Sequence, residues 1–210
     1  MLPPTDEEAK VLEARNRADR QKQVLVESVF VRELDRQCKF AKLAAQGIDL
    51  ALQSKSDILT GPAAAMQDRQ SELPQLDTRL WFEVQNLLVA LANISKILWP
   101  PDKTAERGAA LRLTLAVPDT SPLSRRIMRN HFEHFSERLE RWAAAADTRN
   151  IIDTNTCPAG AISGFASADY LRNYDPFSAV LSFQGDQLDL KAAMAAVRDL
   201  HEKIRTTLNQ

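Results

Sequence analysis

A chain of 210 residues, 44% hydrophobic and 26% charged, is long enough to bury one full core with a small appendage, and too short for two large domains. The composition excludes a collagen-like, disulfide-rich or mainly disordered chain. A formal net charge of −1 argues against coating nucleic acid by bulk electrostatics but leaves room for a local basic patch. Only six glycines, amid abundant Ala, Leu, Arg, Glu and Gln, favour helix over sheet.

The opening Met1-Leu2-Pro3-Pro4, followed by mixed charges, does not read as a signal peptide, and none is expected. The capping-box pattern Thr5-Asp6-Glu7-Glu8 then predicts a charged, solvated N-terminal helix over residues 1–23. From Val24 to about Leu59, Phe30, Leu34, Cys38, Ala41, Ala45, Ile48 and Leu52 recur at three- and four-residue steps, the mark of an amphipathic helix. The β-branched run from Val24 to Val31 could be a strand, but the helical period outweighs it. Thr60-Gly61-Pro62 ends the element, and residues 61–77 read as a loop.

A second helix is predicted from about Thr78 to Leu98, with Leu80, Val84, Leu87, Leu88, Leu91, Ile94 and Leu98 as its buried stripe. Trp99-Pro100-Pro101 stops it, because proline lacks a donor and disfavours helix in the residue before it. A short helix over 103–117, a turn at 118–122 and a strong helix over 123–146 follow. Residues 147–176 read as loop with at most short strands, residues 182–190 as a hairpin on a Gly-Asp turn, and residues 190–208 as a last helix. The expected fold is therefore mostly α. An antiparallel helical bundle over residues 24–146 carries a C-terminal extension, residues 147–210, of loop, β-hairpin and helix. The most apolar stretch, Leu87 to Ile94, is far shorter than the roughly 20 residues of a membrane span. Cys38 and Cys157 lie far apart without metal-like spacing, so two unpaired thiols, a cytoplasmic location and no membrane partner are expected.

The helix over 123–146 carries the chemistry. Met128, Phe132, Phe135, Leu139 and Trp142 form its core stripe. At about 100° per residue, His131 falls roughly 60° from the stripe centre, and Arg129 and His134 fall roughly 100° and 120° away on opposite flanks. Asn130 and Glu133 occupy the outer arc between them. Polar residues so placed are plain surface or part of a site that something else completes, such as a second subunit.

Two of the three histidines lie in this helix, and one ends the pattern Arg129-Asn130-x-x-x-His134. This pattern resembles the motif of the HEPN family of helical domains, many of them ribonucleases: an arginine, a polar residue, a short spacer and a histidine. Two longer helices, a short one and then the motif helix also look like HEPN, so the resemblance covers roughly residues 24–146. It implies a homodimer in which two motif helices meet and two Arg/His sets build one cleft. The implied chemistry is metal-independent endonucleolytic cleavage of RNA, leaving a 2′,3′-cyclic phosphate and sparing DNA. His134 would be general base or acid at the ribose 2′-hydroxyl or the leaving oxygen. Arg129 would hold the phosphate and meet its growing charge. Asn130 would hydrogen-bond and orient the imidazole. Arg125, Arg126, His131 and Arg138 are the candidate RNA-binding residues around them. A toxin or defence effector with an antitoxin or other protein partner is the biology that the resemblance suggests.

Plainer readings stand beside this one. Arg129 and Glu133 form a surface ion pair worth about 0.3–0.5 kcal/mol. His131 is a core-border histidine. The arginines, interleaved with Glu137 and Glu140, make a solvated mixed-charge face. His131 and His134, three apart, could share a metal, but no second ligand cluster exists, so no metal and no cofactor are expected. Cys157 has no neighbouring histidine to make it a nucleophile, and no phosphate-binding or nucleophile-elbow motif is present. The competing function is a non-catalytic helical bundle that binds a protein partner or a nucleotide.

Overall fold

A computed structural model describes residues 6–145, 150–158 and 160–208. Thr5 of the predicted capping box lies outside them. Helix α1, Asp6–Thr60, runs unbroken for 55 residues. The charged N-terminal stretch is thus continuous with the bundle helix rather than a separate element. No proline or glycine interrupts the chain between Asp6 and Ile48 except Gly47, and the β-branched run at Val24–Val31 costs only a few tenths of a kcal/mol per residue as helix. Burial begins at Val31, and Val24, Leu25, Val26 and Val29 remain exposed.

Helix α2, Ala63–Arg69, and a 3₁₀ turn at Gln70–Glu72 replace the expected loop. Helix α3, Leu73–Leu98, starts before the predicted Thr78, with Pro74 in its first turn, where the missing N–H has no intrahelical partner to lose. It lies antiparallel to α1. Asn93 donates to Gln37 at 3.3 Å, Lys55 pairs with Asp77, and Gly47 lets the Glu83 side chain pass. Leu34, Cys38, Ala41 and Ile48 of α1 meet Leu80, Val84, Leu87, Ile94 and Leu98 of α3 in the core, as the two stripes predict. Both cysteines are free, and burial pushes the Cys38 thiol up to about 12, which leaves it unreactive at neutral pH.

Helix α4, Ala105–Thr114, folds back over the end of α3. Its Arg112 donates to the Leu98 carbonyl, which α3 itself leaves unpaired, and lies over the Trp99 ring. Close approach requires a glycine here. A Cβ at Gly108 would sit 2.3 Å from Pro100 Cδ and 2.7 Å from the Leu98 oxygen. Gly108→Ala should therefore lower stability by about 1–3 kcal/mol in a chemical denaturation curve. A gain would show that helix propensity, worth about 1 kcal/mol, outweighs the clash.

The predicted single helix over 123–146 is broken. A 3₁₀ turn at Pro122–Ser124 and extended backbone at Arg125 lead into helix α5, Ile127–Glu133. His134 leaves helical geometry (φ −100°, ψ 34°), and helix α6, Phe135–Ala145, begins after it. The reason is a ring that lies far away in sequence. Phe183 is fully buried, stacks on His131 at 4.8 Å, and meets Phe132 at 6.2 Å and Phe135 at 6.3 Å, so residues on both sides of the break pack on one side chain.

Phe183 belongs to a three-stranded antiparallel sheet of β1 (Asn173–Asp175), β2 (Val180–Phe183) and β3 (Asp186–Asp189), in that order. Leu181 pairs with Tyr174 on one side and Leu188 on the other. The hairpin turn is Gln184-Gly185, not the predicted Gly-Asp. Both residues have positive φ, 50° and 93°, which matches the twist of a two-residue connection. Helix α7, Leu190–Leu208, then buries Leu190, Ala193, Val197, Leu200 and Ile204. It is tied to α1 through His201, whose Nε2 lies 3.0 Å from Asp35 Oδ1 and whose Nδ1 lies 2.6 Å from Lys42 Nζ. An ammonium only donates, so Nδ1 accepts and Nε2–H donates to Asp35.

The loop before β1 is held by Arg172 and Asp153, joined by the guanidinium and by the Arg172 N–H at 3.1 Å. Burial alone would raise the Asp153 carboxyl. The hydrogen bonds and charge of Arg172, with backbone N–H groups, outweigh it and hold the carboxyl below the usual carboxylate range. A carboxyl depressed in the folded state contributes stability above about pH 4 that is lost as pH falls through its folded value. Arg172→Met should therefore flatten the fall of Tm between about pH 5 and pH 3, and an unchanged slope would show that the pair does not couple to folding.

Candidate functional site

The Arg-Asn-x-x-x-His segment occupies α5 and the break that follows it. Arg129 of α5 lines a small, largely apolar recess together with Leu88, Leu91, Leu123 and Leu188. Its guanidinium pairs with Glu133, four residues on, and its Nε is buried without a hydrogen-bond partner among the described residues. Asn130 is exposed, and its carbonyl accepts from the His134 N–H at 3.0 Å. The imidazole of His134 is half-exposed, and its Nδ1 lies 3.0 Å from Glu137 Oε1. The ring partner of His134 is thus Glu137, while Asn130 meets His134 through the backbone.

No hydrogen bond or ion pair joins Arg129 to His134 among the described residues. Each is turned to a carboxylate of its own segment. The bend at His134 places its ring where α5 and α6 meet, and brings the first turn of α6 next to it.

His131 faces inward. It is buried on Phe183, and its Nε2 lies 2.7 Å from Asp186 Oδ2, at the start of β3. Its Nδ1 is buried with no partner among the described residues. In this position it anchors α5 to the hairpin and offers no surface to a ligand. Arg125 is exposed and Arg126 half-buried; both precede α5 and border the recess that Arg129 lines. Neither forms an ion pair among the described residues. Arg138 is half-buried, with its Nε unpartnered, and stands close enough to Glu137 to help hold that carboxyl in its charged form. Arg125, Arg126, Arg129 and Arg138 thus follow one another along the chain from the entry of α5 into α6, interleaved with Glu133 and Glu137.

Glu137, Asp186 and Phe183 were not picked out as site residues in the sequence. The spacing of His134 and Glu137, three apart, is visible there and lets the two side chains meet. The contacts of Asp186 and Phe183 with His131 span about fifty residues and leave no local signal.

Among the described residues no three His, Cys, Asp or Glu side chains come together as a metal-ligand set, and no helix is long and apolar enough to cross a membrane. Comparison with protein-family models, curated proteins and solved structures finds no match for this chain.

Proposed function

We propose that the chain is a metal-independent endoribonuclease of the HEPN type, acting as a homodimer, with Arg129, Asn130 and His134 at its active site. The observation that carries this reading is the state of His134. It is half-exposed at a helix junction, and one ring nitrogen is engaged by a carboxylate while the other has no protein partner among the described residues. An imidazole so held has one nitrogen free to take a proton from a substrate hydroxyl. In the reaction His134 takes the proton of a ribose 2′-hydroxyl, and the 2′-oxygen attacks the adjacent phosphorus. The bond from phosphorus to the 5′-oxygen breaks, giving a 2′,3′-cyclic phosphate; the leaving 5′-oxygen takes a proton from water to become a 5′-hydroxyl, and the His134 imidazolium returns its proton to solvent. Arg129 meets the charge on the non-bridging oxygens, and Arg125, Arg126 and Arg138 hold flanking phosphates. The role is that of a toxin or defence effector, with an antitoxin or other protein as its natural partner.

A second reading, a non-catalytic bundle that binds a protein or a nucleotide, is favoured by one specific feature. One arm of the Arg129 guanidinium, Nη2, is already paired with Glu133. The two readings separate in a cleavage assay of labelled RNA with EDTA present, using wild type, His134→Ala and Arg129→Ala. Cleavage by wild type alone supports the nuclease. Intact RNA with a wild-type protein confirmed as a dimer supports the binding module.

A further inference from the structure

We propose that Glu137 is a positioning residue that acts through His134, by fixing which imidazole nitrogen carries the hydrogen. Because the backbone leaves helical geometry at His134, this residue stands just before α6, and Glu137 is the third residue of that helix. A carboxylate at this place is favoured by the free N–H groups and the positive end of the helix. In a capping box it turns back to the N–H of the residue preceding the helix. Here that N–H is already taken, since His134 donates to the Asn130 carbonyl at 3.0 Å. The Glu137 carboxylate reaches the ring instead, with Oε1 3.0 Å from Nδ1.

A carboxylate only accepts, so Nδ1 carries the hydrogen, and the lone pair of the neutral ring is on Nε2. The hydrogen bond from His134, then its charge, and more weakly Arg138 and Arg141, hold the Glu137 carboxyl below the usual carboxylate range. It therefore remains an acceptor throughout the range in which histidines titrate. The use of Nε2 as the proton acceptor rests on the ribonuclease reading; the tautomer itself does not.

Long-range ¹H–¹⁵N spectra of the full chain test this near pH 8.5, about two units above the ordinary imidazole value, with His134 assigned by its loss in His134→Ala. Wild type should show the Nδ1–H tautomer. Glu137→Ala should move the ring towards the Nε2–H form that an unrestrained histidine favours. Glu137→Gln, whose amide oxygen still accepts, should retain most of the wild-type pattern. In RNA cleavage, Glu137→Ala should lower kcat about two- to fivefold with KM unchanged, and Glu137→Gln should restore part of the loss. An unchanged tautomer in Glu137→Ala overturns the proposal, whether or not wild type cuts RNA. A changed tautomer with unchanged kcat overturns the positioning role. A tautomer that changes in Glu137→Ala, together with a wild type that leaves RNA intact, supports the fixed tautomer and removes the ribonuclease reading alone.

Discussion

His134→Ala should lower the single-turnover rate of RNA cleavage by about 10²–10⁴-fold, and Arg129→Ala by about 10²–10³-fold, with EDTA present throughout. The first figure is what a positioned proton-transfer group contributes, and the second is that of a donor aimed at developing charge. His134 is half-exposed and supports no core contact, so its alanine variant should unfold within a degree or two of wild type. Arg129 is different. It lines an apolar recess, so truncation removes packing as well as charge. Arg129→Lys separates the two, since it keeps the stem and the charge but loses the planar fork that grips a phosphate. A lysine variant as slow as the alanine variant, with wild-type stability, assigns the loss to the fork. If all three variants cut at the wild-type rate, the activity belongs to other residues or to a contaminant.

Phe183→Ala should cost about 3–5 kcal/mol of stability and lower Tm by about 10 °C. Phe183 is fully buried and is the shared contact of His131, Phe132 and Phe135. Its removal leaves a cavity where α5, α6 and the hairpin meet, and little else is placed to collapse into it. The effect should extend beyond stability. The same ring supports the residues on either side of His134, so the variant should also lose cleavage at temperatures where it remains folded. Phe183→Leu, which keeps most of the volume and loses the stacking, should lie between the two. A Phe183→Ala protein with wild-type Tm would show that the aromatic cluster does not hold α5 in place.

The helices of the bundle were legible because their information is local. Leu34, Cys38, Ala41 and Ile48, and Leu80, Val84, Leu87 and Ile94, announce two apolar stripes by spacing alone, and these stripes form the core. Boundaries were less legible. Pro74 reads as a loop residue, yet it is tolerated in a first turn, so α3 begins before it. The hairpin was visible in its turn residues, but its two positive-φ positions are one residue earlier than the Gly-Asp pair suggested, because the register of β2 with β3 decides them.

At the candidate site the division follows the range of the contacts. Residue types and their angular order are local information: Arg129, Asn130 and His134 away from the stripe of Met128 and Phe132, and Glu133 one turn beyond Arg129. A helical period of 3.6 residues is enough for that. Long-range packing set the break of the helix at His134 and the inward turn of His131 to Asp186, whereas the choice of Glu137 over Asn130 as the imidazole's partner is a local one. The break and the turn of His131 depend on Phe183 and Asp186, about fifty residues away on a hairpin. Burying an aromatic ring among three others outweighs the small local preference for an unbroken helix, and no pattern within the helix encodes that choice.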